Sequence, residues 1–240
     1  MPTRELRILN DTQIRACLDW CEERRRYPHR DKVVVLLSVT AGLRASEIAR
    51  LKRRNVMDID GEIIPQIRID RTAAPHGGTR TIRMEDVLLK HVLTLLRTVP
   101  GVPDDPLILS ERALRKGEDG TEAGHLEHMT VNSILRLFWQ LFSELGLTGC
   151  TSESGRRTYA TRVAPLVFQK GGSIRDVQQM LGLPRERAIG RYLEPQRDAQ
   201  NVAGQGAFDF ASLGGRTSAE PSLPGRSAAV PKAARRRTSG

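Results

Sequence analysis

The sequence predicts an α+β fold that is mostly helical, with a small antiparallel sheet of three strands. Segments with apolar side chains at helical spacing occupy most of the first 200 residues, whereas residues 56–84 alternate between apolar and polar side chains as strands do. Turn-forming pairs that contain glycine interrupt this alternating segment, which favours tight connections between neighbouring strands. A chain of 240 residues is long enough for one well-packed domain.

The N-terminal part of the chain predicts a helix that is followed by a second apolar segment with a break. Asn10 or Asp11 can cap a helix whose apolar side chains Ile14, Cys17, Leu18 and Cys21 fall on one face. The next apolar segment, "DKVVVLLSVTAGLRASEIARL", is interrupted at Ala41-Gly42. We therefore expect Leu43-Arg44 to lie at a junction between two helices.

The central segment predicts the sheet. Turns are expected at Asp60-Gly61 and at Gly77-Gly78, with an alternating run through Ile67 and Ile69 between them and a returning strand at Thr81-Ile82. This pattern predicts three antiparallel strands joined by two turns.

The second half of the chain predicts further helices and one loop. A helix is expected from "MEDVLLKHVLTLLRTV", and the charged, glycine-containing residues 111–127 predict a mobile loop. Thr130 can cap the amphipathic helix "VNSILRLFWQLFSELG". Later helices are expected to begin within "TSESGRRTYAT", at Ser173 and at Pro184, and the last of them carries Tyr192.

Composition favours a nucleic acid as the partner. The chain has 38 Lys and Arg against 28 Asp and Glu, a formal charge of +10, which suits a polyanion, with an acidic membrane surface as the second choice. No apolar run is long enough for a membrane span, no apolar signal core opens the chain, and no small-molecule substrate is indicated. The three cysteines have neither zinc-site nor disulfide spacing, so we expect no zinc site and, without a signal segment, a cytoplasmic location.

The composition changes near residue 200. Residues 1–200 are expected to form the folded domain, and residues 201–240, which are rich in Gly, Ala, Ser and Pro and end in "AARRRTSG", are expected to form a disordered basic tail.

Three side chains are candidates for chemistry on a phosphodiester. Breaking such a bond without metal requires a nucleophile and cations around the phosphate oxygens. Arg44 and Arg156 can donate forked hydrogen bonds to phosphate, and Tyr192 can attack phosphorus. Each residue alone is more often a surface arginine or a core aromatic, so the joint arrangement carries the prediction.

The chain resembles the catalytic domain of the tyrosine recombinases, the phage integrase family, over roughly residues 9–195. "TAGLRASEIARL" is similar to the family's first box, "SGRRTYAT" to its second, and "VQQMLGL" with "RYLEP" to its closing boxes. The resemblance implies that Arg44 and Arg156 hold the scissile phosphate, that Glu47 supports them, and that Tyr192 forms a 3′-phosphotyrosyl link. It also implies double-stranded DNA as the partner, DNA recombination or integration without a metal or other cofactor, an origin in a mobile genetic element, and other recombinase protomers as partners.

Three positions depart from the family's pattern. Glu153 stands where the family has histidine, Leu183 stands where it has histidine or tryptophan, and His76 falls at the place of its hairpin lysine. Leu183 cannot donate a hydrogen bond, whereas an imidazolium at His76 can protonate a leaving oxygen. As a carboxylate, Glu153 is expected to repel the phosphate. The alternatives are that it is a salt-bridge partner that orients an arginine or a base for the tyrosine hydroxyl.

Two further arginines are expected to contact DNA, and two functions stay open. Arg80 and Arg157 are the expected DNA contacts, with Arg157 facing DNA or solvent. The N-terminal helical domain that the family usually carries is not expected here. The chain is therefore either an active strand-exchange enzyme or a degenerate, inactive module or mobile-element fragment that binds DNA without cutting it.

Overall fold

The computed structural model describes residues 7–75, 78–118, 126–184 and 190–193. In chain order the elements are α1 Asp11–Arg24, α2 Pro28–Val39, α3 Ala45–Arg50, a 3-10 turn Arg53–Val56, β1 Gln66–Ile69, β2 Arg80–Arg83, α4 Asp86–Thr98, α5 Glu111–Glu118, α6 Val131–Glu144, α7 Ser154–Gln169, α8 Ile174–Leu181 and α9 Gly190–Leu193. The predicted fold class, mostly helical with a small antiparallel sheet, is confirmed. The tail at residues 201–240 and the boundary near residue 200 lie outside the described residues.

Three of these helices begin at the N-cap residues that the sequence predicts, two of them with a side-chain cap. Asn10 accepts a hydrogen bond from the Gln13 backbone at 2.9 Å, and the Gln13 side chain accepts one from the Asn10 backbone at 3.0 Å. Thr130 Oγ1 accepts from the Ser133 N–H at 3.2 Å at the start of α6. Ser173 is the N-cap residue of α8.

The sheet has two strands in the described residues instead of the predicted three. β1 pairs with β2 antiparallel with Ile67 opposite Ile82, and both side chains are buried while their strand neighbours face solvent. The expected first strand is reduced to one isolated bridge between Met57 and Ile63, around the predicted turn at Asp60-Gly61. The alternation before β1 is too short to extend the ladder.

The mobile loop predicted for residues 111–127 is wrong in its first part, because Glu111–Glu118 forms α5. Ser110 Oγ accepts a hydrogen bond from the Ala113 N–H at 3.1 Å and caps this helix. Ala113 and Leu114 are buried and pack with Leu109 in a small cluster. Two adjacent apolar side chains among charges were too weak a periodic signal to indicate the helix.

The main core surrounds α2, whose apolar side chains are buried on every face of the helix and which packs on α1, α4 and α7. A second, smaller cluster joins α7, α8 and α9 and contains Tyr159, Leu181, Leu183 and Tyr192. Helix α7 belongs to both, because it contacts α2 on one side and α8 and α9 on the other. Residues at the start of α7 therefore lie between the two clusters.

A glycine allows α7 to approach α2 closely. A Cβ atom on Gly155 would lie 2.3 Å from Ser38 Oγ, closer than non-bonded atoms tolerate. Gly155 immediately precedes Arg156, so the close contact fixes where that arginine leaves the helix. Among the described residues, no helix has both the length and the apolar composition that a membrane span requires.

Candidate active site

The junction between α2 and α3 places a backbone carbonyl in the site. Gly42 has φ +62°, and a Cβ atom there would lie 2.4 Å from the Tyr159 ring. Its conformation is one that side chains rarely adopt, and the ring leaves no room for one. The Gly42 carbonyl oxygen accepts a hydrogen bond from Arg156 Nη1 at 2.5 Å.

Arg156 is the centre of the site and is fully buried. Its Nη2 donates to the Leu181 carbonyl oxygen, and Nη1 lies 3.7 Å from Glu47 Oε2. Its guanidinium lies over the Tyr192 ring, with Cζ 5.3 Å from the ring centroid. Burial lowers the pKa of Arg156, and the neighbouring Arg44 charge lowers it further, while Tyr192 and Glu47 act in the opposite direction.

Glu47 is the buried carboxylate that holds the arginines in place. It accepts two parallel hydrogen bonds from Arg80, at 2.9 and 3.0 Å, and a third from the Arg44 backbone N–H at 2.9 Å. Burial alone raises the pKa of Glu47, but the hydrogen bonds and charges of Arg80, Arg44 and Arg156 outweigh it, and the pKa lies below its usual value. Glu47 is therefore a carboxylate with all of its partners inside the protein.

Arg44 is the cation that the site leaves available. It is half-buried at the start of α3, and among residues 7–75, 78–118, 126–184 and 190–193 its guanidinium has no ion pair and no hydrogen-bond acceptor. It is close enough to lower the pKa of Arg156. Two like charges this near each other favour an anion between them.

Tyr192 enters the site from α9 and is 95% buried. Its hydroxyl donates a hydrogen bond to Glu153 Oε2 at 3.2 Å. Its carbonyl oxygen accepts a weaker bond from Thr161 Oγ1 at 3.4 Å. The tyrosine ring covers the guanidinium of Arg156, so the two predicted groups are in contact although 36 residues separate them in the chain.

Leu183 occupies its position as a core side chain. It is buried in the second cluster and follows Gly182, the C-cap residue of α8, and its backbone oxygen accepts a hydrogen bond from Gln178 Nε2 at 2.9 Å. It also lines a cleft of about 470 Å³ with Arg80, Thr81, Asp176 and Met180. The side chain brings no hydrogen-bond donor to this cleft.

The remaining predicted residues fall in different places. The Arg80 side chain is only 5% exposed and is bound to Glu47, so its nearest role is to position that carboxylate. Arg157 is also buried, and the expectation that it faces solvent is wrong. Contact of either residue with DNA stays a prediction. His76 lies outside the described residues.

Sequence reasoning missed the backbone part of the site. The carbonyl oxygens of Gly42 and Leu181 hold Arg156, and Tyr159 closes the space above Gly42. Only the glycine at the predicted helix break hinted at this arrangement. Among the described residues, no cluster of His, Cys, Asp and Glu has the arrangement of a metal site, and the expected metal-free chemistry stays a prediction.

Comparison with known proteins decides the family. The pattern of the "Phage integrase family" matches residues 7–198. The chain belongs to the phage integrase family. The family resemblance seen in the sequence is confirmed, and the roles of Arg44, Arg156 and Tyr192 stay predictions.

Solved structures show the same fold. XerA recombinase matches with 20% identity and a TM-score of 0.60, covering 90% of this chain and 67% of that one. The Tn1549 transposon integrase in complex with a circular intermediate DNA matches with 18% identity and a TM-score of 0.57, covering 85% and 67%. XerH recombinase bound to its difH substrate matches with 16% identity and a TM-score of 0.54, covering 85% and 55%.

These matches show that this phage integrase family member has the fold of the tyrosine recombinases. The chain spans about two thirds of the first two of those proteins and just over half of the third. No curated protein sequence matches the chain.

Proposed function

We propose that this protein is a DNA strand transferase that cleaves and rejoins double-stranded DNA through a 3′-phosphotyrosyl intermediate. One observation carries the proposal: Arg44, Arg156 and Tyr192 come from three separate segments of the chain and lie together, because the Arg44 N–H and Arg156 Nη1 both approach Glu47 and the Tyr192 ring lies against Arg156. Its DNA partner is also supported by the formal charge of +10 and by the DNA complexes of two similar structures.

In this proposal the scissile phosphate binds between the two arginines. Arg44 has no internal acceptor among the described residues, and Arg156 Nε is buried there without a partner, so both have a donor for phosphate oxygens. Arg156 is fully buried with the Tyr192 ring against its guanidinium, so a phosphate reaches its Nε only after a local rearrangement.

The chemistry then proceeds as a transesterification. The Tyr192 oxygen attacks phosphorus, the bond to the 5′ oxygen breaks, and the 5′ oxygen takes up a proton. The arginines neutralise the charge that develops on the phosphate oxygens, and each such donor is worth about 10²–10³ in rate. His76 as the proton donor, a cytoplasmic location, a mobile-element origin and assembly with other recombinase protomers all stay predictions.

A second function is favoured by Leu183 and by the covered arginine. A buried leucine supplies no donor at a position where the resemblance implies one, and a fully buried Arg156 cannot meet DNA without rearrangement. A recombinase-like protein that binds DNA without cutting it would tolerate both features.

The first prediction separates these two functions. A duplex selected for binding from a randomised double-stranded pool, and then nicked to trap the cleaved strand, is expected to form a covalent adduct with the full chain. Tyr192→Phe keeps the ring over Arg156 and removes the nucleophile, so it is expected to bind the duplex and form no adduct. The measurement is adduct formation on a denaturing gel beside a gel shift.

Arg44→Gln tests the phosphate clamp with little effect on the fold, because no described residue relies on its guanidinium. We expect adduct formation to fall about 10²-fold or more with an unchanged unfolding midpoint. Binding by the wild type without any adduct would establish the binding module instead. An adduct that persists in Tyr192→Phe would rule out Tyr192 as the nucleophile.

A further inference from the structure

Glu153 has the geometry of a proton acceptor for Tyr192. The tyrosine hydroxyl lies 3.2 Å from Glu153 Oε2. The tyrosine hydroxyl is the donor in this bond, and the carboxylate oxygen is the acceptor. This is the arrangement that general-base catalysis requires.

Backbone hydrogen bonds fix Glu153 at the start of α7, the helix that also carries Arg156. It is the N-cap residue of α7, its N–H donates to Thr151 Oγ1 at 3.3 Å, and its carbonyl oxygen accepts from the Arg157 N–H at 2.9 Å. Arg156 follows one turn later in the helix. The free N–H groups at a helix N-terminus favour negative charge, which suits a carboxylate at this place.

The two carboxylates of the site have separate partners. Glu47 takes the hydrogen bonds of Arg80 and lies 3.7 Å from Arg156, whereas Glu153 has no ion pair with any residue in the described part of the chain. The alternative that Glu153 orients an arginine by a salt bridge is therefore not what the contacts show. Its carboxylate is therefore available to accept the hydrogen bond and the proton of Tyr192.

We propose that Glu153 is the catalytic base that takes the phenolic proton of Tyr192 during strand cleavage, an inference that rests on the proposed function. The proton passes from the tyrosine hydroxyl to the Glu153 carboxylate as the tyrosine oxygen forms its bond to phosphorus. The bond from phosphorus to the 5′ oxygen breaks, and water protonates that oxygen. In the reverse step the neutral carboxyl group returns the proton to tyrosine as the strand is rejoined.

A competing role for the same hydrogen bond is a latch. In that case Glu153 holds Tyr192 over Arg156 and keeps the site closed until DNA binds. The two roles predict opposite results, because removal of a base slows cleavage and removal of a latch leaves it unchanged or speeds it.

Glu153→Gln distinguishes the two roles. The amide has the shape of the carboxylate and still accepts a hydrogen bond, but it does not take a proton. With the selected nicked duplex in single turnover, we expect the rate constant of adduct formation to fall about 10²-fold or more at neutral pH, with DNA affinity unchanged. Glu153→His is expected to recover part of that loss, since imidazole can also accept a proton.

The pH dependence provides a readout that a structural role would not change. The charged groups around the hydrogen bond are Arg156 over the tyrosine ring, Arg44 beside Arg156, and Glu47 with Arg80 behind them. These groups are the same in both proteins. We expect the ratio of wild-type to Glu153→Gln rates to decrease as pH rises, because hydroxide takes over the deprotonation.

The control is Glu62→Gln, which changes an exposed carboxylate in the turn between Met57 and Ile63 and is expected to leave the rate unchanged. A rate for Glu153→Gln equal to or above that of the wild type overturns the base and supports the latch. A slower rate with a ratio that does not vary with pH also overturns it. If the wild type forms no adduct at all, both the proposed function and the role of Glu153 as a base are wrong. If only the role of Glu153 is wrong, the wild type still forms the adduct and Tyr192→Phe still does not.

Discussion

Arg156 makes structural contacts that Arg44 lacks. It ties the α2–α3 junction to the end of α8 through the carbonyl oxygens of Gly42 and Leu181, and it lies beside the carboxylate of Glu47. Removing one partner from such a buried charged cluster costs about 3–5 kcal/mol in typical cases. Arg156 is therefore a structural residue as much as a candidate phosphate ligand, and a loss of activity on its substitution would not isolate its chemistry.

His91 gives a residue-scale prediction on pH. Burial lowers the pKa of His91 to about 4, from an ordinary value of 6.5, and the charges of Lys32, His29 and Lys90 lower it further. Glu22 opposes this only weakly because it is paired with Lys32 at 2.6 Å. The folded state thus binds this proton less readily than the unfolded state does.

Protonation of His91 therefore destabilises the folded state as pH falls. Stability from neutral His91 is fully present above about pH 6.5 and is lost as pH falls towards 4. Compared with His91→Gln, the wild type should lose up to about 1.4 kcal/mol more unfolding free energy per pH unit across this window. Urea unfolding of both proteins from pH 7 to pH 4 measures it, and parallel curves would show that His91 titrates alike in the folded and unfolded states.

The sequence predicted residues that lie in recognisable motifs, but it did not predict contacts that depend on how distant helices pack. Arg44, Arg156 and Tyr192 belong to boxes whose order and spacing are visible in one dimension, and the structure brings them together, although their catalytic roles stay predictions. The burial of Arg157 was not predictable, because a pair of adjacent arginines gives no indication of which face of α7 meets α2. The contact between Glu153 and Tyr192 depends on the position of α9, which no local pattern specifies.

At the scale of elements, local chemistry predicted the helix ends better than the sheet. Caps at Asn10, Thr130 and Ser173 act within one turn, so the sequence contains all of their information. Strand pairing depends on partners distant in the chain, and the expected third strand is only the Met57–Ile63 bridge. The break at Gly42 was predicted as a junction, but its contact with Tyr159 was not.

Gly42 and Gly146 form a matched pair for an element-scale prediction. Their φ angles are +62° and +65°, but a Cβ atom on Gly146 meets nothing within 4 Å, whereas one on Gly42 lies 2.4 Å from the Tyr159 ring. Gly146→Ala is expected to cost about 1–2 kcal/mol for the backbone conformation alone. Gly42→Ala should cost about 1–3 kcal/mol more, because the ring must move.

Chemical unfolding of the two variants tests this difference. The Gly42 variant is also expected to form less covalent adduct, since its carbonyl oxygen holds Arg156 and displacement of Tyr159 moves the α7 side of the site. Equal free-energy costs for the two alanines would mean that the α2–α3 junction has space that the structure does not show.

At the scale of the whole molecule, charge is unevenly shared between residues 1–200 and residues 201–240. Residues 201–240 carry four of the ten net positive charges, from Arg216, Arg226, Lys232, Arg235, Arg236 and Arg237 against Asp209 and Glu220. A protein that neutralises phosphates releases counterions, so the logarithm of its affinity falls linearly with the logarithm of salt concentration. Each basic residue at the backbone adds to that slope without reading sequence.

A chain ending at residue 200 is therefore expected to bind DNA more weakly and with a shallower salt dependence than the full chain. The loss should be equal for the selected duplex and for an unrelated duplex, because phosphate contacts do not distinguish base sequence. A full-length variant with Arg235, Arg236 and Arg237 changed to Gln is the matched control, since it keeps the length and removes three charges. Fluorescence anisotropy across a salt series gives both slopes. An unchanged slope in the truncated chain would mean that residues 1–200 make all of the phosphate contacts. An unequal loss between the two duplexes would mean that residues 201–240 contribute to recognition of the site.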